Sequence, residues 1–114
     1  MDLAQKLQIK PGQALAVVQL PSDVIIEVAE AELAEADGIL VFVKNKVELD
    51  IHFPTLQAAA QAGKLTWVAY PKAGQLETNL NRDILHDYFR TQHLDAVRQI
   101  AINEVWSALR FKTL

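Results

Sequence analysis

GILVFVK at residues 38–44 and KLTWVAYPK at residues 64–72 decide how this chain folds. Both runs are nearly continuous in apolar, β-branched and aromatic residues, the pattern of a strand covered on both faces rather than one alternating between core and water. Residues 47–62 between them read as a helical crossover. Pro54 is expected to split it in two, because proline lacks the N–H that the helix needs and clashes with the preceding turn. In the second piece, PTLQAAAQAG, Pro54 suits a first helical position and Gly63 suits a C-terminal cap. A strand, a helix and a strand in this order form a right-handed unit, so the two runs are predicted to be parallel neighbours.

Upstream, ALAVVQL at residues 14–20 is a third buried strand, stopped by Pro21. It follows a short amphipathic helix within residues 2–9 and the turn pair Pro11-Gly12. Residues 22–36 carry two conflicting signals, a β-branched cluster (Val24, Ile25, Ile26, Val28) and the helix-favouring AEAELAEA. The reading taken is a short strand near 24–29 followed by a helical turn. Downstream of a loop containing Ala73, Gly74 and Gln75, a helix is predicted from about Asn81 to His93. Ile84, Leu85, Tyr88 and Phe89 form its packing stripe, and Asp83, His86, Asp87 and Arg90 lie opposite. VRQIAI and VWSALRF flank Asn103-Glu104 and read as an antiparallel hairpin. The expected fold class is therefore α/β, a mostly parallel sheet with flanking helices and a C-terminal antiparallel hairpin, forming a single domain over residues 1–114.

Composition sets the outer limits. A chain of 114 residues can bury one core but not two. With 51% hydrophobic and 22% charged residues it has a globular rather than a disordered balance. The apolar runs are too short to cross a bilayer, and MDLAQKLQIK lacks the apolar core of a signal peptide, so a cytoplasmic protein with no membrane partner is expected. There is no cysteine, which excludes disulfide and thiolate chemistry. A net charge of -3 argues against nucleic acid as a partner. Six acidic residues gather between Asp23 and Asp37, as on a solvated face or a docking patch for a basic partner.

The order of elements resembles the C-terminal half of S-adenosylmethionine-dependent methyltransferases, which have a Rossmann-like sheet ending in a hairpin. KPGQALAVVQLP stands where their first strand and glycine-rich turn would be. That turn is missing, because Val18, Gln19, Leu20, Pro21 and Ser22 occupy its place and side chains there would keep the backbone from a cofactor. Glu27 or Glu30 would be the acidic residue closing the second strand. The closer resemblance is to a small bacterial family known only as a domain of unknown function, with a truncated methyltransferase-like fold. It rests on IKPG (9–12), ADGILVFVKNKVELD (36–50), WVAYPK (67–72), Arg82-Asp83 and VWSALRF (105–111). The resemblance spans nearly the whole chain and implies a fold but no activity. Without the glycine turn, no cofactor is expected.

In open α/β sheets, ligands bind beyond the carboxyl ends of the strands. The residues expected there are Lys44, Lys46, Tyr70, Lys72, Asn81 and Arg82, accompanied by Gln19, Asn45 and Asn79. Lysines beside a helix N-terminus suit a phosphate or carboxylate; lysines also end strands simply because loops are polar, and Asn81 also reads as a helix cap. Trp67 and Trp106 have the shape to stack on a planar ligand or to fill a core, and Trp106, expected near a sheet edge, is the candidate residue for a homodimer interface. Glu104 is a solvated turn carboxylate or an acid–base group. His86 with Asp83 and Asp87 has metal-ligand spacing on one helix face, but the face is polar, so no metal site is assigned. No Ser/His/Asp order, P-loop or zinc spacing occurs, and no catalytic residue is assigned. The expected function is a non-catalytic binding or protein-interaction module; the alternative is a small enzyme or sensor for an anionic metabolite or nucleotide.

Overall fold

A computed structural model describes residues 2–114. Its elements are α1 (Leu3–Lys6), β1 (Leu15–Val18), β2 (Gly38–Phe42), α2 (Lys46–Gln61), β3 (Leu65–Pro71), α3 (Arg82–Arg90), β4 (Leu94–Ala101) and β5 (Trp106–Thr113). The five strands form one mixed sheet in the order β1-β2-β3-β5-β4. Pairing is parallel between β1 and β2 and between β2 and β3, and antiparallel between β3 and β5 and between β4 and β5.

The sheet is thus not mostly parallel, which corrects the sequence expectation: only two of the four neighbouring pairs are parallel. The cause lies in two connections of different length. The crossover through α3 brings β4 back in the direction of β3 without seating it beside β3. The tight link at residues 102–105 then turns the chain directly back, and a link that short permits only an antiparallel partner. β5 enters the slot between β3 and β4, so both of its ladders are antiparallel. Trp106 consequently starts an interior strand and not a sheet edge.

Side chains leave each strand alternately to two faces, and both are covered. On one face Ile39, Val41, Val68, Leu109 and Phe111 pack under α2 and α3 through Leu49, Leu56, Leu85 and Phe89. Phe89 stacks on Phe111 with ring centroids 3.8 Å apart. On the other, Leu40, Phe42, Trp67 and Trp106 pack with Leu7 and Val24 from α1 and the segment after β1. The Trp67 indole N–H donates to the Leu7 carbonyl at 3.1 Å and ties α1 to the sheet.

Two local expectations also give way. Pro54 lies inside a continuous 16-residue α2. The carbonyl that would have bonded its missing N–H belongs to Asp50, four residues earlier on an exposed position, where water can satisfy it. The buried stripe of Leu49, Leu56, Ala59 and Ala60 then carries the helix through. Around residues 24–29 there is no strand, only a single parallel bridge from Glu30 to Leu15. Val24 is buried while Ile25 is 83% exposed, so the segment alternates like a strand yet has no neighbour to bond along its length. No helix among the described residues is long and apolar enough to cross a membrane.

Candidate functional site

The carboxyl ends of the parallel strands hold two different environments. Over β1 and β2 lies a small cavity of 230 Å³, lined by Gln19, Pro21, Phe42, Lys44, Glu48 and Trp106 and narrowed by hydrogen bonds among its own walls. Gln19 adopts a left-handed backbone conformation (φ 59°), uncommon for a residue with a side chain. Its amide donates to the Phe42 carbonyl at 2.9 Å and approaches the Glu48 carboxylate at 3.5 Å. Glu48 in turn accepts from the Lys44 amide at 2.8 Å. Trp106, 2% exposed, closes the floor and meets Phe42 edge-on with centroids 5.1 Å apart. The segment that follows β1 is thus tied to the end of β2 and the start of α2 by hydrogen bonds of its own side chains.

The N-terminus of α2 is also occupied. Asn45 caps it by accepting from the Glu48 amide at 2.9 Å, and Asn79 accepts from the Lys46 amide at 2.9 Å. The Thr78 hydroxyl donates to the Lys44 carbonyl at 2.6 Å. The loop after β3 is thereby pinned to the start of α2, and two of the amides that would greet an anion already have partners. Lys44 lines a cavity of 520 Å³ shared with Pro21, Leu76 and Trp106, but Asp23 and Glu77 also line it and set two carboxylates against one cation, while Lys46 projects into solvent.

The second environment lies at the far side of β3. Tyr70, Lys72, Asn81 and Arg82, four of the six sequence candidates, line one open cavity of 500 Å³ together with Asp83, Gln99 and Ser107. β3 delivers Tyr70 near its end, and the Lys72 amide donates to the Val105 carbonyl at 2.7 Å, which fixes the exit of the strand against the start of β5. Asn81 is the cap of α3 and accepts from the Ile84 amide at 2.8 Å, so the helix dipole points its positive end at the cavity rim. Arg82 opens that helix and lies 3.5 Å from Asp83, both side chains well exposed. Gln99 and Ser107, absent from the sequence candidates, arrive from β4 and β5.

Tyr70 is the buried floor. The Gln99 amide donates to its hydroxyl at 3.2 Å. Burial raises its phenol above the ordinary value of 10, against the opposing pull of the Gln99 bond, the Arg82 guanidinium and Ser107. The phenol is therefore protonated at neutral pH and keeps a donor. The lining is rich in donors: the Lys72 ammonium, the Arg82 guanidinium, the Tyr70 and Ser107 hydroxyls and the Gln99 amide. Its one carboxylate, Asp83, is already engaged by Arg82.

The remaining sequence candidates lie elsewhere. Glu104 is exposed in the β4–β5 link. His86 sits 4.0 Å from Asp87 on the outer side of α3, and no group of three potential metal-binding side chains occurs among the described residues. Comparison with protein-family models and with curated proteins finds no match.

Proposed function

We propose that this domain is a cytoplasmic binding module for a small anionic metabolite, seated in the cavity between the end of β3, the start of α3 and the β4–β5 hairpin. The observation that carries the reading is convergence. Residues from four separate elements, Tyr70, Lys72, Arg82, Gln99 and Ser107, bring two cations and three neutral donors to one cavity with a single, already paired, carboxylate. A phosphate or carboxylate held by Arg82 and Lys72 would gain charge-assisted hydrogen bonds, with Tyr70 and Ser107 supplying directional donors beneath them. Because Arg82 is exposed, the affinity should fall as salt rises. No residue is assigned a catalytic role.

Isothermal calorimetry with pyrophosphate, nucleoside diphosphates and dicarboxylates tests this. At least one of these anions should bind, and Lys72→Ala and Arg82→Ala should each weaken it about tenfold, the effect of roughly 1.4 kcal/mol. Lys46→Ala should leave it unchanged, since Lys46 is not in the cavity. Absence of binding by all three classes, or equal weakening by Lys46→Ala, would refute the assignment.

A further inference from the structure

Trp106 and Ser107 are neighbours in β5 and leave it to opposite faces of the sheet. Ser107 lines the anion cavity, whereas Trp106 lines a different one of 520 Å³ on the other face. The two tryptophans of the chain differ in how their indole N–H is met. Trp67 donates to the Leu7 carbonyl. Trp106 is 2% exposed, yet its N–H has no hydrogen-bond partner among the described residues. The side-chain atom there that is both unpartnered and sealed from solvent is Arg110 Nε, so the Trp106 N–H is unpartnered without being sealed. The open space that its ring borders is this cavity and the smaller one beside it. A nearly buried donor in that position gains from an acceptor that a ligand brings.

The same wall carries charges of both signs. Lys44 lies on it with Asp23 and Glu77. The ion pairs among the described residues are Arg82 with Asp83, His86 with Asp87 and Arg90 with Asp95, which leaves these three charges without an ionic partner. Their places are set by the backbone. Asp23 rides on a turn closed by the Val24 amide on the Pro21 carbonyl at 3.1 Å and anchored by the buried Val24. The Thr78 hydroxyl, on the Lys44 carbonyl, holds the adjacent Glu77 beside the end of β2. Glu48, on the smaller cavity, is already engaged by the Lys44 amide and Gln19. Pro21 and Leu76, the latter 52% exposed, add apolar surface.

From this we propose that the cavity binds a small zwitterion, a free amino acid with an apolar side chain. The ligand carboxylate accepts from the Lys44 ammonium and the Trp106 indole N–H. Its ammonium sits against the Asp23 and Glu77 carboxylates, and its side chain covers Leu76 and Pro21. A simple anion would meet Lys44 but also two carboxylates, and a simple amine would leave Lys44 and the indole N–H without an acceptor. A ligand carrying both groups gives each charge on the wall its complement. Because the three charged side chains are exposed to water, the affinity is modest, with a Kd on the order of 100 µM to 1 mM. The site stands apart from the anion cavity and does not rest on it.

Calorimetric titration of the full chain with leucine, valine, methionine and phenylalanine, each to about 10 mM, tests this, a range that passes the expected Kd. Isoamylamine and isocaproate, which are leucine without its carboxylate and without its amine, serve as controls. At least one amino acid should bind saturably, and both controls at least about tenfold more weakly than leucine or not at all. Lys44→Ala and Asp23→Asn, both at exposed positions, should each weaken binding about tenfold, while Lys72→Ala, in the other cavity, should leave it unchanged. Tryptophan emission gives a second readout: Trp67 is fully buried, so a saturable change on titration reports Trp106. No saturable binding by any of the amino acids, a control that binds as tightly as leucine, no effect of Lys44→Ala, or equal weakening by Lys72→Ala would each overturn the proposal.

Discussion

Gly38→Ala is the sharpest probe of the sheet. Gly38 opens β2 and is in register with Leu15 of β1 on one side and Leu65 of β3 on the other. Its φ is not in the left-handed region, so backbone conformation is not what demands glycine here. Space is. An added Cβ would lie 2.7 Å from the Leu65 Cβ, 2.9 Å from the Leu65 carbonyl oxygen and 3.0 Å from a Leu15 methyl. The Leu15 methyl can swing aside, but the Leu65 atoms are fixed to the backbone of β3. Restoring ordinary contact requires β3 to retreat by about 0.7 Å or more, which strains the ladder that aligns the two strands. Overpacking of this kind costs about 1–3 kcal/mol, and the entropy lost by the unfolded chain when glycine becomes alanine returns only about 0.4–1 kcal/mol. A net loss of about 1–2 kcal/mol remains. For a chain of 114 residues, with an unfolding entropy near 2.1 cal/mol/K per residue, that lowers Tm by about 4–8 °C. Urea titration followed by the fluorescence of the buried Trp67 and Trp106 should show an earlier midpoint with an unchanged slope. A variant within about 0.5 kcal/mol of the parent, the usual range for surface substitutions, would refute the steric reasoning.

Phe89→Ala removes a fully buried ring stacked on Phe111 and should cost about 3–5 kcal/mol, read in the same titration. Asn45→Ala should destabilise by about 1 kcal/mol through loss of the α2 cap, and Asn45→Gly by only about a few tenths, as measured by urea midpoints. Tyr70 and Tyr88 both ionise above their ordinary value of 10, in each case chiefly because burial disfavours the phenolate, with Asp50 adding to the effect at Tyr88. A raised folded-state value means that the unfolded chain releases these protons first. Their contribution to stability is therefore complete below pH 10 and is lost as pH rises through the folded-state values. Thermal midpoints taken from pH 8 to 12 should fall, and Tyr70→Phe should flatten the fall; an identical pH profile in that variant would count against the assignment.

Local pattern carried much of this fold. The apolar runs of β2 and β3 specify strands covered on both faces, the sequence between them specifies their parallel pairing, and Asn103-Glu104 between two β-rich stretches specifies the hairpin. Nothing local says where a hairpin docks. That β5 rather than β4 lies beside β3 depends on which strand buries Leu109 and Phe111 under α3, a tertiary choice. Pro54 misleads because the cost of its missing hydrogen bond depends on whether the orphaned carbonyl meets water. The site divides along the same line. Tyr70, Lys72, Asn81 and Arg82 are legible from the rule that strand ends gather ligands, whereas Gln99 and Ser107 join them only because β5 is inserted. Lys44 and Lys46 look equivalent to Lys72 in sequence, yet Thr78 and Asn79 already bond the start of α2, and the cavity that Lys44 lines also holds Asp23 and Glu77.

The seat of β5 has a consequence for how the chain comes into being. β5 is the last strand in chain order but second from the edge in space. During synthesis β1, β2 and β3 emerge first and can associate, but β3 then presents an unfilled row of backbone donors and acceptors until the hairpin has been made. The sheet closes by intercalation rather than by adding strands outward. A nascent chain paused after α3 would thus be an adhesive intermediate, and mutations that slow the β4–β5 turn, at Asn103 above all, should reduce the yield of folded protein more than they reduce its stability once formed.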